Sequence, residues 1–248
     1  METGRYASTR YLPFGDNALL IEFGDIISSE INRKVIALDE AIAKAETQGI
    51  EELVPTYRSL LVRYDALKVS YEQLVFRIKN SEAKLNKLSI EKVGRKITIP
   101  VVYGGEYGPD LSHVAQYHRL TEEQVVELHS EREYRVYMLG FVAGFPYLGE
   151  VAEEISTPRL ETPRLKVAVG SVGIAEKQTG VYPCEAPGGW QIIGRTPLGL
   201  FNPLQQPPSL LKPGDTVKFE PISEKEFKIT EEAIIKKPTH LSPRNNKK

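Results

Sequence analysis

The sequence predicts an α+β protein of two domains: a small ferredoxin-like α/β layer at the N-terminal side, followed by a closed or nearly closed β-barrel. Three observations predict it. The first is punctuation: residues 1–93 contain four glycines and two prolines, whereas residues 138–221 contain eleven of each. Glycine and proline break helices and make turns, so long helices belong early and short strands late. The second is a strand, helix, strand, helix order in the first third. The third is a series of short strands, with two short helices, in the part that follows. The expected division is an α/β domain at 1–93, a barrel domain at 94–227 and a basic, disordered tail at 228–248.

In the first domain, Ala18-Leu19-Leu20-Ile21-Glu22-Phe23 is a compact apolar run after a Gly15-Asp16-Asn17 turn, as a buried strand requires. Ser28 or Ser29 caps a helix on which Ile31, Val35, Leu38, Ile42 and Ala45 recur at helical spacing, with Gly49 as its stop. Ser59–Tyr64 is a second strand. Ser70 and Gln73 then form a capping-box pair, stapled by Val69 and Leu74, for a helix carrying Ile78 and Leu85 and ending near Lys92.

The barrel domain opens with the alternating strand Lys96–Tyr103, whose Pro100 suggests a sheet edge. Asp110 caps a short helix through His113. Thr121 and Gln124 form another capping box, stapled by Leu120 and Val125, for a helix to about Arg132. Strands follow at 134–141, 167–175, 189–195 and 216–221, the last preceded by the turn sequence Lys212-Pro213-Gly214-Asp215.

Composition excludes several classes. Net charge is -1, from 32 cations and 33 anions, so no global field draws in nucleic acid. Cys184 is the single cysteine, which rules out an intrachain disulfide and a paired-cysteine zinc site. No apolar run approaches the length of a membrane span, and the first ten residues lack a secretory core, so a cytoplasmic location is expected. The sequence contains no Walker loop, dinucleotide fingerprint, His-Glu-x-x-His or Gly-x-Ser-x-Gly. His113, His118 and His129 read as surface histidines rather than metal ligands, because the first two fall on different sides of a helix. Cys184, framed by prolines, reads as an inert thiol rather than a nucleophile. No catalytic residue is assigned, and no metal is expected.

Three segments carry chemistry. Thr162–Ile174 offers Arg164 and Lys166 just before a glycine-punctuated strand; a guanidinium there suits a carboxylate or phosphate, or is simply a surface cation. Pro187–Pro197 holds the single tryptophan, Trp190, between two glycines and Arg195, as a flat ligand wall or as barrel filling. Gly140–Gly149 sets Phe141, Phe145 and Tyr147 between glycines, as an aromatic groove or a tightly packed loop.

Taken in order, Gly104-Gly105-Glu106-Tyr107-Gly108-Pro109-Asp110-Leu111, Gly140-Phe141…Gly144-Phe145-Pro146-Tyr147-Leu148-Gly149, Thr162-Pro163-Arg164…Gly170-Ser171-Val172-Gly173 with Gln178-Thr179-Gly180-Val181-Tyr182-Pro183, and Pro187-Gly188-Gly189-Trp190…Gly194-Arg195-Thr196-Pro197 resemble the allophanate hydrolase subunit 1 family. That family includes the B-type subunit of bacterial 5-oxoprolinase and an inhibitor of a sporulation histidine kinase; a related domain pair occurs fused in urea carboxylase. The likeness covers about residues 11–222. Ala143 and Ala168 stand where proline is common, and Ala186 where serine is common. The resemblance implies a cyclophilin-like barrel and an ATP-dependent opening of 5-oxoproline to glutamate. It implies a non-autonomous component that works with the A-type and the carboxylase-like C-type subunits of 5-oxoprolinase. ATP would be handled by the complex, with no metal or organic cofactor held in this chain. The implied binding cleft comprises Arg164, Gln178, Thr179, Tyr182, Arg195, Trp190, Phe141, Phe145 and Tyr147. The alternative it implies is an inhibitor that grips the dimerisation domain of a histidine kinase, with no role for nucleic acid or membrane.

Overall fold

The computed structural model describes residues 6, 8–85 and 94–236. The chain divides into two compact units, residues 1–93 and 94–248.

The first unit contains β1 (Arg10–Pro13), β2 (Ala18–Glu22), α1 (Ser29–Lys44), β3 (Ile50–Pro55), β4 (Ser59–Tyr64) and α2 (Tyr71–Leu85). Its sheet has the order β1-β2-β4-β3, with every neighbouring pair antiparallel. β2 and β3 therefore run parallel, joined by α1, with β4 between them; this is the split βαβ unit of ferredoxin-like folds. The strand flanking β2 comes from the N-terminal side as β1. Neither β1 nor β3 carries a strand signature in the sequence: β1 is mostly exposed, and Glu51 and Glu52 break the apolar alternation of β3.

Both helix starts follow the expected chemistry. Ser28 Oγ accepts from Glu30 N at 3.2 Å. Ser70 and Gln73 exchange side-chain and backbone bonds at 3.3 Å each. Helix α1 ends at Lys44, short of the expected stop, and Gly49 instead leads into β3 with φ +90°. The expected end of α2 near Lys92 lies outside the described residues. Leu19, Ile21, Val35, Leu38, Leu60, Val62 and Leu74 fill the core between helices and sheet.

The second unit begins with β5 (Lys96–Tyr103), α3 (Leu111–His118), α4 (Glu122–Glu131), β6 (Glu133–Leu139) and β7 (Pro146–Gly149). There follow β8 (Arg164–Val167), β9 (Ser171–Ala175), β10 (Gln178–Val181), β11 (Ala186–Gly188), β12 (Gln191–Arg195), β13 (Thr216–Pro221) and α5 (Glu224–Lys236). Seven strands close a barrel in the order β10-β7-β6-β13-β5-β12-β9, while β8 and β11 form a separate two-stranded ribbon. Ile99, Val101, Tyr134, Val136, Val172, Ile193 and Phe219 are among its buried filling.

Four expectations are corrected here. Strand β5 is no edge: it lies parallel to β13 and antiparallel to β12. Pro100 is tolerated because the β12 ladder reaches only Val102 and Tyr103, so no β12 carbonyl faces its missing N–H. The expected strand 167–175 is two strands, β8 and β9, because the chain turns at Gly170, whose φ is +79°. Residues 228–236, expected in a disordered tail, form most of α5; Phe227 and Ile234 bury one face of that helix, so the segment is ordered by packing. Residues 237–248 lie outside the described residues. Finally, Asp110 occupies the N-cap position of α3 but makes no side-chain cap bond. Its carboxylate is used elsewhere. No helix among the described residues is long and apolar enough to cross a membrane.

Candidate functional site

The motif loops meet on β12. Loop 104–110 lies along this strand: Gly104 N donates to Ile193 O at 3.0 Å, and Asp110 N to Ile192 O at 2.8 Å. The approach is so close that a Cβ on Gly108 would stand 2.0 Å from the Ile193 carbonyl oxygen. Asp110 then turns its carboxylate inward. Oδ2 accepts from Ile192 N at 2.6 Å, and Oδ1 takes Arg164 Nη2 at 2.6 Å. Arg164 also reaches Trp190 O at 3.5 Å. Thus one ion pair fastens β8, β12 and the loop before α3, which explains why Asp110 does not cap the helix. Arg164 is committed to an internal carboxylate.

Beside this latch sits an aromatic cluster. The Phe145 ring meets Tyr147, Tyr182 and Trp190 edge-on, at centroid distances of 5.1, 5.1 and 5.4 Å. Phe145, Tyr182 and Trp190 are buried, so they are filling as much as wall, whereas Tyr147 is half-buried. Burial pushes the Tyr182 phenol up to about 12. Arg159, exposed, carries its guanidinium 5.9 Å from the Trp190 ring, so a cation stands over the cluster's rim.

Phe141 differs from its neighbours. It is 58% exposed although it is a phenylalanine, and its φ of +66° lies in the left-handed region that bulky residues avoid. Close by in sequence, Ala143 helps line a recess with Ala168, Val169, Pro183, Cys184 and Phe201. Cys184 is exposed there.

Two residues expected in one cleft, Thr179 and Arg195, are not brought to it. Thr179 is fully buried, and its hydroxyl donates to Gly173 O at 3.0 Å. Its oxygen lies 2.9 Å from His129 Nε2, and His129 Nδ1 lies 2.8 Å from Tyr103 Oη. With the threonine proton spent on Gly173, the network requires His129 Nε2–H as donor and Nδ1 as acceptor from Tyr103. The expectation of a surface histidine at 129 is overturned: His129 is fully buried and stacks on Phe219 at 4.6 Å. Burial lowers its pKa to about 3, so it stays neutral. No sequence signal marks it, because the apolar stripe of α4 is short and His129 falls at its end. Gln178, half-buried on β10, is different: it stands across from Ala175, which packs with Phe145, Tyr182 and Trp190, and it shares its face with Gly180, which abuts Phe145 and Trp190, so it lies on the cluster's side of the strand. Arg195 sits at the far end of β12, over Tyr107, at 5.7 Å from that ring.

Among the described residues no group of three or more acidic, histidine or cysteine side chains forms a metal site. His118 bonds Thr157 Oγ1 at 3.1 Å, and His113 is exposed on α3.

Comparison with known proteins gives the chain its relatives. The family model for the carboxyltransferase domain, subdomain C and D, matches residues 9–211. The B-type subunit of 5-oxoprolinase from Bacillus subtilis is 45% identical over 86% of this chain and 92% of its own. That of Haemophilus influenzae is 44% identical over 84% of this chain and 95% of its own. Among solved structures, the conserved protein PH0987 from Pyrococcus horikoshii is 56% identical, with a TM-score of 0.53 over 88% of this chain and all of that one. TTHA0988 is 38% identical, with a TM-score of 0.75 over 83% of this chain; this chain spans only 40% of it. With the family model matched over residues 9–211 and relatives 45% and 44% identical over most of the chain, the chain belongs to the carboxyltransferase domain, subdomain C and D family, the allophanate hydrolase subunit 1 family that its motifs resemble.

Proposed function

We propose that this chain is the B-type subunit of a 5-oxoprolinase, which opens 5-oxoproline to glutamate with ATP and works only with A-type and C-type partners. The observation that carries the reading is the 42–45% identity to three proteins that bear the name of that 5-oxoprolinase component, over nearly their whole length.

The geometry supports a shared centre. Ring opening needs an activated lactam carbonyl, attack of water on its carbon, and departure of the ring nitrogen as an amine. Among the described residues, His129 is sealed in the barrel, His118 is bonded to Thr157 and Arg164 is paired with Asp110, so these three serve the fold. The sequence carries no Walker loop, in keeping with ATP being handled by the complex. This chain's contribution is then a preorganised binding face rather than a catalytic group.

The test is oxoproline-dependent ATP hydrolysis by this chain alone, by the full mixture with its A-type and C-type partners, and by mixtures with each omitted. Turnover is expected only in the full mixture. An equal rate without this chain would end the reading.

One observation favours a second reading. The exposed, backbone-constrained Phe141 next to the aromatic cluster is a surface able to grip an apolar helix, as an inhibitor of a histidine kinase would. Calorimetry against the dimerisation domains of histidine kinases from the source organism decides it, and no heat with any of them removes it.

A further inference from the structure

We infer that Arg195 is the cation of a carboxylate-receiving subsite on the outer face of the barrel, separate from the Arg164 latch, and that the carboxylate it receives is that of the substrate. The inference rests on the function proposed above.

Its basis is a contrast among three arginines. Arg95 and Arg164 each hold an internal carboxylate, of Asp215 and of Asp110. Arg195, half-buried, forms no ion pair among the described residues, and its Nε is buried without a hydrogen-bond partner. A guanidinium withdrawn from water with no counter-ion loses solvation that the fold does not return. The Tyr107 ring offsets part of that loss, since its face attracts a cation, and Tyr107 is itself fixed against Phe227 at 4.9 Å. The remainder is what an incoming anion supplies.

The site is built rather than incidental. Arg195 is in register with Ser171 on β9 and with Val102 on β5, so the three side chains share one face of the sheet. That face is the outer one: Val102 packs with Tyr107 and Phe227, while its neighbour Val101 fills the barrel. The aliphatic stem of Arg195 is held from behind by Gly170, where a Cβ would stand 3.3 Å from Arg195 Cγ and 2.3 Å from the Thr196 carbonyl oxygen. Only glycine fits, with φ +79°. Because Nε is closed off, the edge left to a ligand is the pair of Nη groups, which meets a carboxylate end-on through two parallel hydrogen bonds. Ser171, a buried hydroxyl directly across the ladder, is the neighbouring polar group.

The experiment compares wild type, Arg195→Met and Arg195→Lys in the assembled complex, using 5-oxoproline and its uncharged analogue 2-pyrrolidinone as probes. Removing a hydrogen-bonded charge pair is expected to raise KM for 5-oxoproline about 10- to 100-fold in the Met variant. The Lys variant recovers part of the loss as a point charge, and inhibition by 2-pyrrolidinone is unchanged in both. Trp190 fluorescence and melting temperature show whether each variant is folded. KM within twofold of wild type in folded Arg195→Met overturns the subsite. Weakened association with a partner protein, with KM unchanged, overturns the substrate assignment and gives the arginine to a partner carboxylate. A wild-type complex that turns nothing over defeats the proposed function instead. The subsite is then judged by calorimetry with acetate: binding to the wild-type chain that Arg195→Met abolishes upholds it, and no binding to wild type overturns it.

Discussion

The Arg164 region and the Arg195 region lie at opposite ends of one strand, β12, and solve the same electrostatic problem differently. At one end the guanidinium has its own carboxylate, and that carboxylate also takes the Ile192 amide. At the other end the guanidinium has a ring and a closed Nε, but no acid among the described residues. A cation that brings its own counter-ion is scaffold; one without it is available to a ligand. The barrel interior follows the first pattern too. Tyr103, His129, Thr179 and the Gly173 carbonyl close a chain of hydrogen bonds in which every donor has an acceptor. Asp215, fully buried, is likewise satisfied by Arg95 and the Lys212 amide.

The comparison is broken most severely by Asp110→Ala. That change leaves Arg164 without its partner and the Ile192 amide without an acceptor, and turns the closed end of β12 into a second open one. Allowing for the part of Arg164 that is in water, the expected loss is about 3 kcal/mol in urea denaturation. A loss under ~1 kcal/mol would show the latch to be ornamental.

Acid tests the closed network next. His129 has a folded pKa of about 3, below its unfolded value near 6.5, so the unfolded chain binds the extra proton. The barrel is therefore most stable above pH ~6.5 and loses about 1.4 kcal/mol per pH unit as pH falls from there towards 3. Trp190 fluorescence reads the barrel unit specifically, and His129→Gln should flatten the slope. In the first unit the sign reverses: burial and the nearby Glu40 raise Asp39 to about 6. Asp39 favours the folded state below its unfolded pKa, and that contribution is lost as pH rises through about 6.

Thr179→Val is the milder cut. It deprives the His129 Nε2–H of its acceptor and the Gly173 carbonyl of its donor while keeping the shape, for about 1–2 kcal/mol in thermal or urea unfolding. The smallest effect sharpens the contrast: Arg195→Met, which breaks no ion pair among the described residues, is expected to change stability by no more than about 1 kcal/mol, the worth of its contact with Tyr107. A larger loss would mean that Arg195, like Arg164, belongs to the scaffold.

Elements are legible where local chemistry decides them. Thr121 and Gln124 make the capping box their spacing announces, and Lys212-Pro213-Gly214-Asp215 turns before β13. Short strands with little apolar alternation are not: β7, β10 and β11 exist because neighbouring strands pair with them. In the candidate site, residue types are legible but their allegiances are not. Arg164 and Arg195 look alike in sequence, and only the approach of Asp110, 54 positions away from Arg164, separates them. Thr179 looks like a ligand contact and is a buried link to His129, 50 positions away.

By itself, then, the sequence determined the two-part α+β plan, most helix starts and turns, and the family, because capping, periodicity and ordered glycine motifs act over a few residues. The tertiary structure alone decided that the barrel closes on β5, that Asp110 abandons its helix for Arg164, that His129 is sealed and neutral, and that Arg195 meets no acid among the described residues. Those outcomes depend on which distant groups share a desolvated space, and the strength of a charge or hydrogen bond there is set by its partner and its burial rather than by its place in the chain.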